Sequence, residues 1–213
     1  MPKPDGNHKR SVRNLRLYSP PSRPPASVLG IVTQRVPREP FTIHIDPRPL
    51  PLYHSAMLER PHEYYMDLAL REAQVSSENG EVPVGAVIVR AGAIIGRAHN
   101  QVELLKDPTA HAEMIAITQA ASAIGDWRLT ETALYVTKEP CPMCAGAIVL
   151  ARIPLVVFGI LDPLRGGAVS VFNILAHPQL NHRPEIVSGI LEEPCRAVLQ
   201  EFFRDKRRQS SEA

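Results

Sequence analysis

Residues 133–150 read Ala133-Leu-Tyr-Val-Thr-Lys-Glu-Pro-Cys-Pro-Met-Cys-Ala-Gly-Ala-Ile-Val-Leu150, and their reading decides the fold. The apolar, β-branched run from Ala133 to Thr137 predicts a strand. From Cys141 to Leu150 the pattern is helical, with Pro142 tolerated in the first turn, where a missing N–H costs no intrahelical bond. The junction between the two carries a pair of thiols, Cys141 and Cys144. At i, i+3 spacing both sulfurs share one face of the predicted helix. The helix N-terminus carries partial positive charge, which lowers thiol pKa and favours thiolates.

Toward the N-terminus, strands and helices continue to alternate. His62 to Ala73 has apolar residues at helical spacing and an acidic first turn that complements the dipole. Asn79-Gly80 marks its end. Val82 to Val89 predicts a strand, which Ala91-Gly92 turns into a second strand from Ala93 to His99. Asp107-Pro-Thr109 predicts a cap for a helix from about Ala110 to Ala123, placing His111 and Glu113 in its first turn. Toward the C-terminus, Leu155 to Leu161 is continuously apolar, as a strand buried on both faces is. A polar loop over 162–167, a short helix near 169–176, a strand near 185–187 and a last helix over 191–208 complete the pattern. Such alternation argues an α/β sandwich.

His111, Cys141 and Cys144 have the chemistry of three zinc ligands. Three protein ligands leave tetrahedral Zn²⁺ one open position, the mark of a catalytic rather than a structural site. A water bound there loses its proton near neutral pH and becomes a nucleophile. Glu113, two residues from His111, is placed to take that proton and pass it on to a substrate. Such general acid–base help is worth roughly 10²–10⁴-fold. The competing reading is a closed zinc knuckle with Cys195 or another histidine as fourth ligand. The joint pattern of H-x-E and P-C-x-x-C, both at predicted helix starts, favours the catalytic reading. Cys195, flanked by Ala197, Val198 and Leu199, reads as a small buried thiol.

Charge is unevenly distributed. Residues 1–60 carry a net charge of +6 and 11 of the 21 prolines, while the remainder carries −4. Proline clusters such as Ser19-Pro-Pro-Ser-Arg-Pro-Pro25 block helices and sheet ladders, and little apolar surface offsets the entropy of ordering. Residues 1–60 are therefore expected to be a disordered Pro/Arg-rich extension, 61–208 the catalytic domain and 209–213 a tail. The extension could be a basic arm for RNA, an Arg-rich targeting peptide or a miscalled start ahead of Met57, and the solvated or miscalled reading is favoured. Three cysteines argue against a disulfide framework, and thiolate ligands suit a reducing, cytoplasmic compartment. No apolar run approaches a membrane span.

These motifs together resemble the bacterial tRNA-specific adenosine deaminases of the cytidine deaminase superfamily. The resemblance covers about Pro61 to Arg208. It includes Glu81-Val-Pro-Val-Gly-Ala86, Asp107-Pro-Thr-Ala-His-Ala-Glu113, Glu139-Pro-Cys-Pro-Met-Cys-Ala-Gly-Ala147, Val156-Val-Phe-Gly159 and Phe202-Phe203-Arg204. It implies a three-layer α/β/α sandwich with a mixed five-stranded sheet, one Zn²⁺ per subunit and a homodimer. It implies conversion of adenosine to inosine at the wobble position of a tRNA anticodon, with a zinc-bound hydroxide as nucleophile. By position, Asn100 would contact the base and Asp162 would approach the ribose. Pro83, Val84 and Ala112 would line the pocket, and His177, Asn181 and Phe203 would meet flanking nucleotides. Plain alternatives stand beside these roles: a turn residue for Asn100, a solvated turn acid for Asp162 and a core aromatic for Phe203. The sixty residues before the first helix depart from the family pattern.

Two other functions compete. A free-base or free-nucleoside deaminase would need no basic tail. A noncatalytic RNA-binding partner with structural zinc would have no use for Glu113.

Overall fold

The computed structural model describes residues 59–212; the expectations for residues 1–58 lie outside them. Helix α1, His62–Glu78, follows Pro61 and ends at Asn79, after which Gly80 takes the left-handed conformation at φ 75°. It buries Tyr65, Met66, Ala69, Leu70 and Ala73, one face of a 3.6-residue period. Strands β1 (Gly85–Arg90) and β2 (Ala93–His99) form a hairpin through Ala91 and Gly92, both at positive φ, as a two-residue primed turn requires. The ladder starts at Gly85 rather than at Val82. Pro83 has no N–H to donate, and the Val84 N–H instead bonds the Val82 carbonyl at 2.8 Å. Gly85 is required there, because a Cβ would lie 2.0 Å from the Ala69 carbonyl oxygen of α1.

A short helix α2, Val102–Leu105, was not foreseen from the sequence. Helix α3 spans Ala112–Ile124 and ends at Gly125 in the left-handed conformation. Strand β3 is Ala133–Lys138, helix α4 Pro142–Ala151, strand β4 Leu155–Ile160 and strand β5 Glu185–Ser188. Every residue of β4 is buried, as its unbroken apolar run implies. The helix expected near 169–176 is absent: the stretch holds turns and bends. Val169, Val171 and Phe172 are weak helix formers. Helix α5 runs from Glu192 to Glu212, beyond the expected end at Arg208. Ion pairs such as Arg196–Glu192 and Arg204–Glu201 lie along its exposed face.

The sheet order is β2-β1-β3-β4-β5. β1 is antiparallel to β2 and β3, while β3, β4 and β5 are parallel, so the sheet is mixed and five-stranded. Alternate residues serve opposite faces. Ala86, Ile88, Leu134, Val136, Val156 and Phe158 pack with α3 and α4. Val87, Val89, Tyr135, Leu155 and Val157 pack with residues of α1 and α5. The result is the expected α/β/α sandwich.

The register gathers several segments at one edge. Gly85 pairs with His99, Ala86 with Val136, and Lys138 with Ile160. Val84, Asn100, Glu139 and Asp162 therefore all lie where those strands end or begin. The turn carrying Cys141 leaves from the same edge.

Candidate active site

His111 and Cys141 each occupy the N-cap position of a helix, α3 and α4 respectively, in extended backbone conformation. His111 thus stands just before the first turn, not within it. Asp107 does not cap α3; its carboxylate closes a separate turn by accepting the Thr109 amide at 2.8 Å and hydroxyl at 2.7 Å. The hydroxyl first and the amide second hold that carboxyl below its ordinary pKa.

Neither side chain makes a cap hydrogen bond, and the two converge instead. His111 Nδ1 lies 3.7 Å from Cys141 Sγ and 3.5 Å from Cys144 Sγ. The three donor atoms all lie within 4.8 Å of one another. Tetrahedral zinc with ordinary Zn–S and Zn–N bond lengths separates S from N by about 3.6 Å. The donor set and its spacing therefore fit zinc. Cys195 does not join them: it is buried among the residues that cover the opposite face of the sheet, and burial pushes its thiol up to about 12.

The electrostatics are those of a coupled cluster. The hydrogen bond from Cys144, helped by His111, lowers the Cys141 thiol to about 4, although burial opposes it. Cys144 is pushed up by its bond with Cys141 and by burial. The His111 imidazole is raised, chiefly by its bond to Cys141. Glu113, in the first turn of α3, is 3% exposed. Burial raises its carboxyl above the ordinary glutamate value, so a proton resides there more readily than on a surface carboxylate.

Asn100 is buried and already engaged. Its Oδ1 accepts the Ala112 amide of α3 at 2.9 Å, and its Nδ2 donates to the Val82 carbonyl at 3.1 Å. One N–H and one lone pair are left over. Asn100 thereby ties the start of α3 to the segment that leads into β1. Pro83, Val84 and Ala112 are buried at this edge.

Asp162 is similarly engaged. Its Oδ2 pairs with the Lys138 ammonium, and its Oδ1 accepts the amides of Leu164 and Arg165 at 3.1 and 3.2 Å. His177 and Asn181 are exposed on the chain leading to β5. Asn181 Oδ1 accepts from Arg152, the residue that ends α4. A ten-residue helix is about 15 Å long, so Asn181 is held at the end of α4 away from Cys141. Phe202 is the inward aromatic of its pair and Phe203 the outward one, 40% exposed. The sequence reading missed Lys138 and Glu139. Both lie in the stretch quoted first, and the signal was two charged residues wedged between a buried strand and a proline.

The comparisons with known proteins agree with this geometry. A family model for the cytidine and deoxycytidylate deaminase zinc-binding region matches residues 59–160. The tRNA-specific adenosine deaminase of Bacillus subtilis (strain 168) is 50% identical over 151 residues, 71% of this chain and 94% of that protein. That of Aquifex aeolicus (strain VF5) is 54% identical over 145 residues, 68% of this chain and 95% of that protein. A solved structure from studies of A-to-I editing by tRNA:A34 deaminases has a TM-score of 0.62 and 43% identity, covering 64% of this chain and 99% of its own. The guanine deaminase of Nitrosomonas europaea, at 19% identity and a TM-score of 0.56, shares the fold alone. The chain carries the zinc-binding region of the cytidine and deoxycytidylate deaminases over residues 59–160. It belongs to the tRNA-specific adenosine deaminase family. Among the described residues no helix is long and apolar enough to cross a membrane.

Proposed function

We propose that this protein hydrolytically deaminates adenosine to inosine at the wobble position of a tRNA anticodon, as a cytoplasmic homodimer. The observation that carries the reading is the buried Glu113 carboxyl beside the convergent His111, Cys141 and Cys144. His111 Nδ1 and the two thiolates would hold the metal. When bound, zinc supplies a Lewis acid that brings the pKa of a water to near neutrality. Glu113 would carry the water's two protons in turn, the first to the purine ring nitrogen and the second to the amine, which leaves as ammonia. Its burial matches it to both tasks, because a raised pKa narrows the gap between holding and releasing the proton near neutral pH. Val84, Pro83 and Ala112 exclude water from the base, and the spare hydrogen-bonding capacity of Asn100 meets a purine edge. The identity to relatives named for tRNA, spread over nearly their whole length, supports RNA as the substrate. Incubating the protein with a mixed tRNA pool and sequencing for A-to-G changes tests the reading. Conversion confined to wobble adenosines is expected, and no conversion in any tRNA would defeat it.

A further inference from the structure

Glu139 stands two residues before a metal-binding cysteine, yet its carboxylate faces a different segment. It is 3% exposed. Oε1 accepts the amides of Val169 and Ser170 at 2.8 and 2.9 Å. Oε2 accepts the Asp162 amide at 2.8 Å and also the Ser170 hydroxyl. Four donors from one irregular loop thus converge on one buried anion, which compensates its desolvation. The loop is also pressed close. A Cβ on Gly166 would lie 2.4 Å from the Glu139 carboxylate, and one on Gly167 would lie 2.7 Å from the backbone of Cys141. The Gly167 N–H bonds the Pro140 carbonyl at 2.7 Å.

We propose that Glu139 is a positioning residue: it clamps the 162–170 loop onto the turn that bears Cys141, and so sets the surface that the substrate meets beside the metal site. The loop is neither helix nor strand; its internal turn bonds, such as Gly166 N–H to the Asp162 carbonyl at 2.8 Å, shape it locally, while the Glu139 carboxylate ties its two ends together beside the Cys141 turn. It carries Asp162, and it presents exposed apolar side chains, Leu164 at 80% and Phe172 just beyond it at 52%. An exposed aromatic ring such as Phe172 is suited to stacking against a nucleobase, and Leu164 to apolar contact beside it. The inference rests on the reading that RNA is the substrate.

The test compares the full-length parent, Glu139→Gln and Gly166→Ala. Glu139→Gln turns an acceptor toward the Asp162 amide into a donor. Gly166→Ala displaces the loop from the other side with the carboxylate intact, and it serves if the first variant folds poorly. With an anticodon stem-loop as substrate, both variants are expected to raise KM about tenfold, a loss on the scale of one charged hydrogen bond, with kcat within about threefold and parental zinc content. Amide exchange at Asp162, Val169 and Ser170 is expected to accelerate at least about tenfold while α3 and α4 keep their protection. Unchanged KM and unchanged exchange in both variants would overturn the assignment. So would zinc loss with collapse of kcat, since Glu139 would then serve the metal turn. A parent that leaves the stem-loop unreacted would count against the RNA reading instead, and the exchange measurement would then decide for or against the clamp.

Discussion

Lys138 and Asp162 form an ion pair where the parallel strands β3 and β4 end, with 22% and 8% of their side chains exposed. Burial pushes the Asp162 carboxyl up, but the bond and charge of Lys138, with the Leu164 and Arg165 amides, outweigh it and leave the pKa below the ordinary aspartate value. A depressed folded pKa adds stability that is complete above the unfolded value, near 3.9, and is lost as pH falls through the folded one. Asp162→Asn is therefore expected to destabilise the protein by roughly 1.5–3 kcal/mol at pH 7, the scale of charged hydrogen bonds. Denaturant unfolding at a series of pH values checks this. The deficit should hold from pH 7 to about 5 and shrink below about 4; a deficit constant down to pH 3 would mean the carboxylate charge is irrelevant.

The same residue bears on RNA recognition. The ribose 2′-hydroxyl separates RNA from DNA, and a carboxylate with lone pairs remaining beyond its three internal bonds can accept from it. Asp162→Ala is expected to narrow the preference for an RNA loop over a DNA loop of the same sequence. Competition between the two loops gives the ratio directly, and an unchanged ratio would leave Asp162 as an organiser of its own loop.

The metal ligands are expected to fail together. Zinc should copurify at about one ion per chain. Cys144→Ala should lose the metal, lower the thermal midpoint and abolish turnover, because metal binding energy is coupled to folding. Elemental analysis of active protein without zinc would contradict this.

Much of this arrangement was legible in the sequence, and the rest was hidden for physical reasons. The strands could be read because burial makes period-two and continuous apolar runs conspicuous: Leu155–Ile160 lies in β4 as expected. The convergence of His111 with Cys141 and Cys144 was legible because helix starts following strands collect at one sheet edge. The clamp by Glu139 was not, since three of its four donors are backbone amides of Asp162, Val169 and Ser170, distant in sequence, that carry no side-chain signature. The absent helix near 169–176 shares that cause: no periodicity shows that two of its amides are taken by a distant carboxylate. Asn100 and Asp162 read as polar turn residues, and only coordinates show how much of their hydrogen bonding is internal.

Glu113→Ala should keep zinc and the fold while lowering kcat at least about 10²-fold, because the carboxyl carries protons and is not among the three metal donors. Zinc analysis and circular dichroism beside single-turnover kinetics separate these effects. A rate within about tenfold of the parent would assign proton transfer to another group.

The N-terminal segment should be dispensable for chemistry. The family match begins at residue 59. A chain beginning at Met57 is expected to fold and deaminate, with weaker RNA affinity at raised salt if the basic residues had neutralised phosphates. Loss of soluble, folded protein on truncation would contradict this.

The most direct measurement is the rate of inosine formation in an anticodon stem-loop with adenosine at the wobble position, set beside turnover of free adenosine, cytidine and guanine by the same zinc-loaded protein. The stem-loop is expected to react at least about 10³-fold faster in kcat/KM, because binding energy from the RNA around the base is available only there. Equal turnover of free adenosine and the stem-loop, or faster turnover of guanine, would contradict a tRNA deaminase.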